Sequence, residues 1–118
     1  MSADPASFRD PSGRVYDVGG RILRAVAPSA REDFEAAWNN PALKRLVAEG
    51  FVVDAVAVDD APPDAPADAT IVEHQRVPFV SYPYEWSFSL LKRAALHHLD
   101  LQISLLESGV ALSDATAY

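Results

Sequence analysis

One stretch of the sequence, residues 78–109, constrains the fold more than any other. It opens with aromatic residues and prolines in the order Pro-Phe-Val-Ser-Tyr-Pro-Tyr-Glu-Trp-Ser-Phe-Ser and continues directly into a segment rich in leucine and alanine. Because Pro83 has a fixed φ and favours an extended conformation at Tyr82, this pattern predicts a rigid corner. The corner would join the end of an apolar strand to a long helix.

The predicted helix is the longest in the chain. Ser87 or Ser89 is suited to cap its first turn, and Gly109 is suited to end it after Ser108. About twenty residues at a rise of 1.5 Å would span roughly 30 Å. The apolar positions cover more of the circumference than a surface helix needs, so we expect burial on two sides, or contact of one side with a partner or another domain. The residues assigned to this interface are Leu91, Ala95, Leu99, Ile103 and Leu106, and Leu101 and Leu105 widen the apolar arc.

The rest of the chain predicts a small antiparallel sheet. Gly19-Gly20 separates the β-prone runs 14–18 and 21–26, and two glycines suit the positive φ angles of a two-residue hairpin turn. A third run, 51–58, is almost continuously apolar and is expected to be a largely buried strand. Two further strands are predicted over residues 70–77 and 78–82, with Pro78 at the break between them.

A helical hairpin is predicted between the second and third strands. Ser29 and Glu32 have the spacing of a capping box, which predicts a helix start. A second short helix would begin at Pro41, with Asn40 as its cap, and would stop at Gly50. The apolar residues expected to face the core from this hairpin are Phe34, Ala37, Trp38, Leu43, Leu46 and Val47.

With 118 residues the chain has the size of one domain. We expect a flexible N-terminal arm over residues 1–13 and a single α+β domain over residues 14–118. Residues 59–69 consist mostly of Pro, Ala and Asp, a composition that predicts an exposed, extended loop unable to pack into a core. The expected fold is therefore α+β, with a small antiparallel sheet, a helical hairpin and one long C-terminal helix.

Charge and composition narrow the classes of partner. The formal net charge is −7, and the ten Lys and Arg residues do not cluster, so we expect neither nucleic-acid nor membrane binding. Cysteine is absent, which excludes disulfides, thiolate nucleophiles and Cys-ligated metals. The N-terminal residues lack a basic region followed by an apolar one, and a cytoplasmic location is expected.

Few residues offer chemistry. His97 and His98 are adjacent and would point about 100° apart on a helix, so we predict no metal site. Tyr82, Tyr84 and Trp86 would suit a ligand cleft, because such side chains combine an apolar body with a polar tip. The interpretation that we favour is that these aromatic side chains pack the strand end against the helix.

Three segments resemble one bacterial family. They are Phe8–Gly13 with Val15-Tyr16, the run Val77–Ser89 containing YPYEWSFS, and Leu112–Tyr118. Together they closely resemble the N-terminal segment of SAM-dependent methyltransferases related to nodulation-associated methyltransferases. The resemblance implies a longer protein that uses S-adenosylmethionine, whose Gly-rich binding loop has no counterpart in these 118 residues. We therefore expect no cofactor in this chain, and an accessory role in which it packs on a C-terminal methyltransferase domain or on a second copy.

The predicted order of elements is also similar to the small lobe of a protein kinase. Under this resemblance Tyr82-Pro83-Tyr84 would correspond to the hinge, and Asp114 to the catalytic-loop aspartate. The Gly-rich phosphate loop, the Val-Ala-Ile-Lys lysine and the DFG motif are all missing, so we expect no kinase activity. The alternative function is a small ligand-binding or protein-interaction module with a kinase-like remnant. Its ligand would contact Tyr82, Tyr84, Trp86 and Asp114.

Overall fold

The computed structural model describes residues 13–112 and, as backbone only, residues 2–3. The elements within these residues are β1 (Ser2–Ala3), β2 (Gly13–Val18), β3 (Arg21–Val26), α1 (Arg31–Trp38), α2 (Pro41–Ala48), β4 (Ala55–Ala57), β5 (Thr70–His74) and α3 (Phe88–Leu106). The five described strands form one antiparallel sheet in the order β1-β2-β3-β5-β4. The predicted α+β class, antiparallel sheet, helical hairpin and long helix are confirmed.

The hairpin of β2 and β3 is confirmed at its predicted turn. Val18 pairs with Arg21, and the two residues between them have positive φ angles, 58° at Gly19 and 87° at Gly20. Both angles are those of a type I′ turn, whose twist matches the twist of the paired strands. Of the N-terminal arm expected over residues 1–13, Ser2–Ala3 pairs with β2, and residues 4–12 lie outside the described part of the chain.

The prediction of a largely buried strand over residues 51–58 is wrong. Only Ala55–Ala57 forms a strand, and β4 pairs with β5 alone, at the edge of the sheet. Phe51, Val53 and Val56 are all at least half exposed. An apolar run is buried only where a second layer covers it, and here no such layer covers the outer side chains of β4.

The last two predicted strands are also corrected. The first is shorter than expected, because β5 ends at His74 rather than Val77. The second, over residues 78–82, is wrong, since these residues form no strand. Pro78 cannot donate a ladder hydrogen bond, and the chain approaches the Pro83 corner only five residues later.

One face of the sheet carries the first core cluster, formed by Tyr16, Leu23, Ala25 and Ile71. The loop over residues 59–69 contributes to it, contrary to the expectation that it could not pack. Ala65 and Ala69 contact this cluster, and Pro62 is buried. The loop is not extended, because Ala65 N donates to Pro62 O and Ala69 N to Pro66 O in two tight turns.

The helical hairpin has one predicted cap and lacks the other. The Asn40 side chain accepts from Ala42 N at 2.9 Å at the start of α2, as predicted. The Ser29–Glu32 capping box is wrong, since a 3₁₀ turn over Pro28–Ala30 leads into α1 without a side-chain cap. Leu43 and Leu46 are buried, whereas α1 buries no residue fully and its Phe34 and Trp38 rings stack on each other at 5.8 Å.

Helix α3 begins where the sequence predicts. Ser87 Oγ accepts from Leu90 N at 3.2 Å, and Gly109 has a φ of 85°. The helix itself ends at Leu106, two residues earlier than expected, and the turn over residues 107–109 completes its end. Leu105 is 2% exposed and packs with Leu43 and Leu46 of α2 in the second core cluster.

Candidate functional site

The predicted interface residues of α3 form an exposed apolar stripe. We call the set Phe88, Leu91, Ala95, Leu99, Ile103 and Leu106 the α3 stripe; Phe88 was not among the predicted residues but continues the same line. All six are exposed, and Leu99 and Ile103 expose 54% and 58% of their surface. None of these residues is among the buried or partly buried side chains that form either core cluster. That they contact another folded unit stays a prediction.

The α3 stripe and the buried side of the helix lie on different faces. At about 100° per residue, the six stripe positions cover an arc of about 120° around the helix. The buried side of the helix is centred between Leu101 and Leu105, and its centre is rotated by about 120° from the centre of the stripe. Polar and charged residues such as Arg93, Asp100 and Glu107 lie beside the stripe on the side away from the core. A helix with two apolar faces, of which its own chain covers one, is typical of an interaction surface.

The aromatic corner lies at the N-terminal end of the α3 stripe. Tyr82 and Tyr84 are 54% and 81% exposed, and their rings stack with centroids 5.8 Å apart and an interplanar angle of 5°. Glu85 fixes the corner, because its carboxylate accepts from Tyr82 N at 3.0 Å while its own N–H donates to Tyr82 O at 2.8 Å. Phe79 and Val80 extend the exposed apolar surface here.

The favoured interpretation of these aromatic residues as core is wrong for both tyrosines, which face solvent. A short 3₁₀ turn over Pro83–Glu85 turns their side chains away from the sheet. Trp86 is half-buried and donates from Nε1 to Ser81 Oγ at 2.9 Å. Ligand binding by Tyr82, Tyr84 and Trp86 stays a prediction, and Asp114 lies outside the described residues.

A cleft that sequence reasoning missed has a volume of about 740 Å³. It lies between β3, α1 and the segment 108–111, and none of the predicted site residues lines it. Asn40 closes one side, since its Nδ2 donates to Ser108 O at 3.2 Å. No local motif could reveal this cleft, because it joins residues almost seventy positions apart. Its lining residues are Arg24, Val26, Ala30, Asp33, Phe34, Ala36, Ala37, Asn40, Ser108, Gly109, Val110 and Ala111.

Charged side chains tie the loops to the sheet. Arg21 on β3 bonds to Asp60 at 2.5 Å and to Glu73 on β5 at 2.6 Å. Hydrogen bonding to this guanidinium lowers the pKa of Asp60 and of Glu73 below their ordinary values. Arg76 bonds to Asp17 at 2.9 Å and lowers the pKa of that carboxyl in the same way. These pairs lie on strands and loops away from the α3 stripe, and we assign them a structural role.

The described residues bring together no metal-binding group. Within residues 13–112, no three His, Asp or Glu side chains are close enough to hold one ion. His97 Nε2 lies 3.0 Å from Phe51 O, and its ring contacts the Phe51 ring, so this histidine joins α3 to the segment before β4. No helix in the described part of the chain is long and apolar enough to cross a membrane.

Comparison with known proteins finds one relative by sequence. The chain is 44% identical over 117 residues to nodulation protein NoeA of Rhizobium meliloti (strain 1021). The match covers 95% of this chain but 24% of NoeA, so the chain spans about a quarter of the length of the curated relative that it matches. No protein-family model matches the chain. No solved structure matches it either.

Proposed function

We propose that this chain is a non-catalytic accessory region of a SAM-dependent methyltransferase and that the α3 stripe attaches it to another folded unit. That unit is either the methyltransferase domain or a second copy of the chain. The observation that carries the proposal is the exposed α3 stripe, which lies on the face of α3 turned away from its own core. The much greater length of NoeA supports a role within a larger protein.

The antiparallel sheet supports the proposal that S-adenosylmethionine binds outside these elements. Nucleotide cofactors of doubly wound folds bind at the carboxyl ends of parallel strands, where a Gly-rich turn leads into a helix. In the described residues every strand pair is antiparallel, and the glycine pair Gly19-Gly20 closes a hairpin instead of leading into a helix. We therefore assign S-adenosylmethionine, expected for the full-length family, to a part of the protein beyond these elements.

Calorimetry tests the non-catalytic part of the proposal. Titration of S-adenosylmethionine into the 118-residue chain is expected to give no heat beyond dilution. A longer protein of the NoeA type, titrated in parallel, serves as the positive control. Saturable binding to the 118-residue chain alone would contradict the assignment.

A capture experiment tests the attachment surface. The chain is co-expressed with two baits, the part of NoeA that it does not match and a differently tagged copy of itself. We expect capture by at least one bait, loss of that capture in Leu99→Asp, and retention in Val56→Asp. Val56 is a matched control, because it is exposed to a similar extent, 60%, but lies on the sheet edge. Failure of both baits to capture the unmodified chain would contradict the proposal.

The alternative, a ligand-binding module, is supported by the exposed stacked pair Tyr82 and Tyr84. Two parallel stacked rings offer an exposed aromatic face with hydroxyl groups at its edge, which suits aromatic bases and sugar rings. A thermal-shift panel of nucleotides and sugars tests it, with Tyr84→Ala as the matched variant. If a ligand raises the melting temperature of the unmodified chain but not that of Tyr84→Ala, this alternative is favoured. An unchanged melting temperature of the unmodified chain with every ligand would argue against it.

A further inference from the structure

The α3 stripe is self-complementary. Its spacings of 3, 4, 4, 4 and 3 residues are symmetric about His97, which lies on the opposite face of the helix and bonds to the chain's own Phe51 carbonyl. In an antiparallel pair of helices related by a two-fold axis at position 97, every stripe residue lies at the same height along the axis as another stripe residue. Phe88 would face Leu106 and Ala95 would face Leu99, while Leu91 and Ile103 would lie at one height on opposite flanks of the contact.

The sizes of the facing residues also match. Nearest the axis, the small Ala95 of one copy would lie against the larger Leu99 of the other, on both sides of the dyad. Alternation of small and large residues lets two helix surfaces interdigitate and approach closely. At the ends of the contact Phe88, which is 82% exposed, would cover Leu106, which is 54% exposed.

The charges beside the stripe select the antiparallel orientation. Lys92 and Arg93 precede the midpoint of α3, whereas Asp100 follows it, and all three are exposed. In an antiparallel pair the same flank of both helices meets, so Lys92 of one copy and Asp100 of the other would lie on one flank, within about 3 Å of each other along the axis. A parallel pair would instead bring Lys92 of both copies to the same height beside the contact. No ion pair of Lys92 or Asp100 forms within residues 13–112.

We infer that the α3 stripe holds two copies of this chain in an antiparallel, two-fold symmetric dimer. The inference rests on the proposed role of the stripe as an attachment surface and commits that surface to a second copy. A two-fold dimer uses one self-complementary patch twice, so each favourable contact occurs in duplicate. Lys92 would lay its aliphatic stem along the apolar seam and bring its ammonium near Asp100 of the second copy.

Cysteine cross-linking tests the orientation, and the absence of native cysteine makes single labels possible. Phe88→Cys and Leu106→Cys proteins are mixed and treated with a short thiol cross-linker. The antiparallel dimer places these two positions together but keeps two copies of position 88 about 27 Å apart along the axis. We expect the mixed product and no product from Phe88→Cys alone. The reverse result, or no product in either sample, would overturn the inference.

Charge reversal tests the contact that sets the orientation. Lys92→Glu and Asp100→Lys are each expected to weaken dimerisation about tenfold, because each places two like-charged pairs across the interface. The double variant restores the opposite charges and is expected to return to near the original affinity. Equal dimerisation by all four proteins, or a double variant that is no tighter than the single variants, would contradict the antiparallel contact.

The outcomes of these experiments distinguish the proposed dimer from the proposed accessory function. If the NoeA bait captures the chain through the α3 stripe while the chain remains monomeric, the attachment role stands and the dimer is wrong. If the chain dimerises as described but binds S-adenosylmethionine, the dimer stands and the accessory role is wrong. Folding of each variant is checked by circular dichroism.

Discussion

At the scale of single residues, Asn40 links two helices with one side chain. Its Oδ1 accepts from Ala42 N at 2.9 Å at the start of α2, and its Nδ2 donates to Ser108 O at 3.2 Å just beyond the end of α3. A local cap therefore also fixes a contact between segments that are far apart in the sequence. The first function can be read from the Asn-Pro dipeptide, whereas the second depends on how α3 packs.

We expect Asn40→Ala to lower the free energy of unfolding by about 2 kcal/mol, since a helix cap and a hydrogen bond each contribute about 1 kcal/mol. Asn40→Asp keeps the capping oxygen and loses the donor, so it is expected to cost about half as much. Urea denaturation measures both. A change below about 0.5 kcal/mol in Asn40→Ala would show that neither bond contributes to stability.

Trp86 is a second residue for which the structure changes the expected cost of a truncation. A core tryptophan would cost about 3 kcal/mol or more on truncation. Because Trp86 is half-buried and its main polar contact is the 2.9 Å hydrogen bond to Ser81 Oγ, we expect Trp86→Ala to cost about 1 to 2 kcal/mol. Trp86→Phe, which keeps the ring contact, should cost about 1 kcal/mol or less. A loss above about 3 kcal/mol by chemical denaturation would place Trp86 back in the core.

At the scale of elements, Arg21 joins β3, β5 and the loop that begins at Asp59. Its bonds to Asp60 and Glu73 lower the pKa of both carboxyls from ordinary values of 3.8 and 4.5. A carboxyl with a lowered folded-state pKa stabilises the fold above its unfolded pKa. That contribution is lost as the pH falls from about 4.5 through the lowered values, because the protonated groups no longer pair with the guanidinium.

We therefore expect Arg21→Gln to make the melting temperature depend less on pH in the acid range. The unmodified chain should lose more of its melting temperature between pH 5 and pH 3 than Arg21→Gln loses, with the two curves converging at the acid end. Lys44→Gln, an exposed change that removes the same charge, should keep the original slope. Parallel curves for the unmodified chain and Arg21→Gln would contradict the role of this network.

Elements specified by local chemistry were predictable from the sequence, and elements specified by neighbours were not. The Gly19-Gly20 turn, the Asn40 cap and the Ser87 cap each depend on a few adjacent residues. The burial of residues 51–58 depends instead on strand order, which places β4 at the sheet edge. Likewise, the alanines of the 59–69 loop pack because Tyr16 and Ile71 lie beneath them, which its composition does not indicate.

The candidate site shows the same division. The positions of the α3 stripe follow from helical periodicity, so the sequence could predict which residues share a face. The tyrosines were expected in the core because aromatic runs often pack there, but the turn over Pro83–Glu85 directs them outward. The cleft beside Arg24 joins three distant segments and could not be predicted from the sequence.

At the scale of the whole molecule, the described residues form two closed apolar clusters and leave an apolar surface open. The sheet packs against its own loop and the C-terminal half of α3 packs against α2, whereas the α3 stripe and the aromatic corner face solvent. An exposed surface of this kind is stable against aggregation when another folded unit covers it. The chain matches a quarter of the much longer NoeA, which supports the proposal that such a unit covers the α3 stripe.

Sedimentation velocity of the 118-residue chain over a wide range of concentrations tests this account most directly. We expect a reversible shift from monomer to dimer in the unmodified chain and in Val56→Asp, and a monomer at every concentration in Leu99→Asp, because the aspartate would lie at the centre of the apolar α3 contact. A dimer that persists unchanged in Leu99→Asp, or an unmodified chain that remains monomeric throughout, would contradict the central claim that the α3 stripe joins two copies.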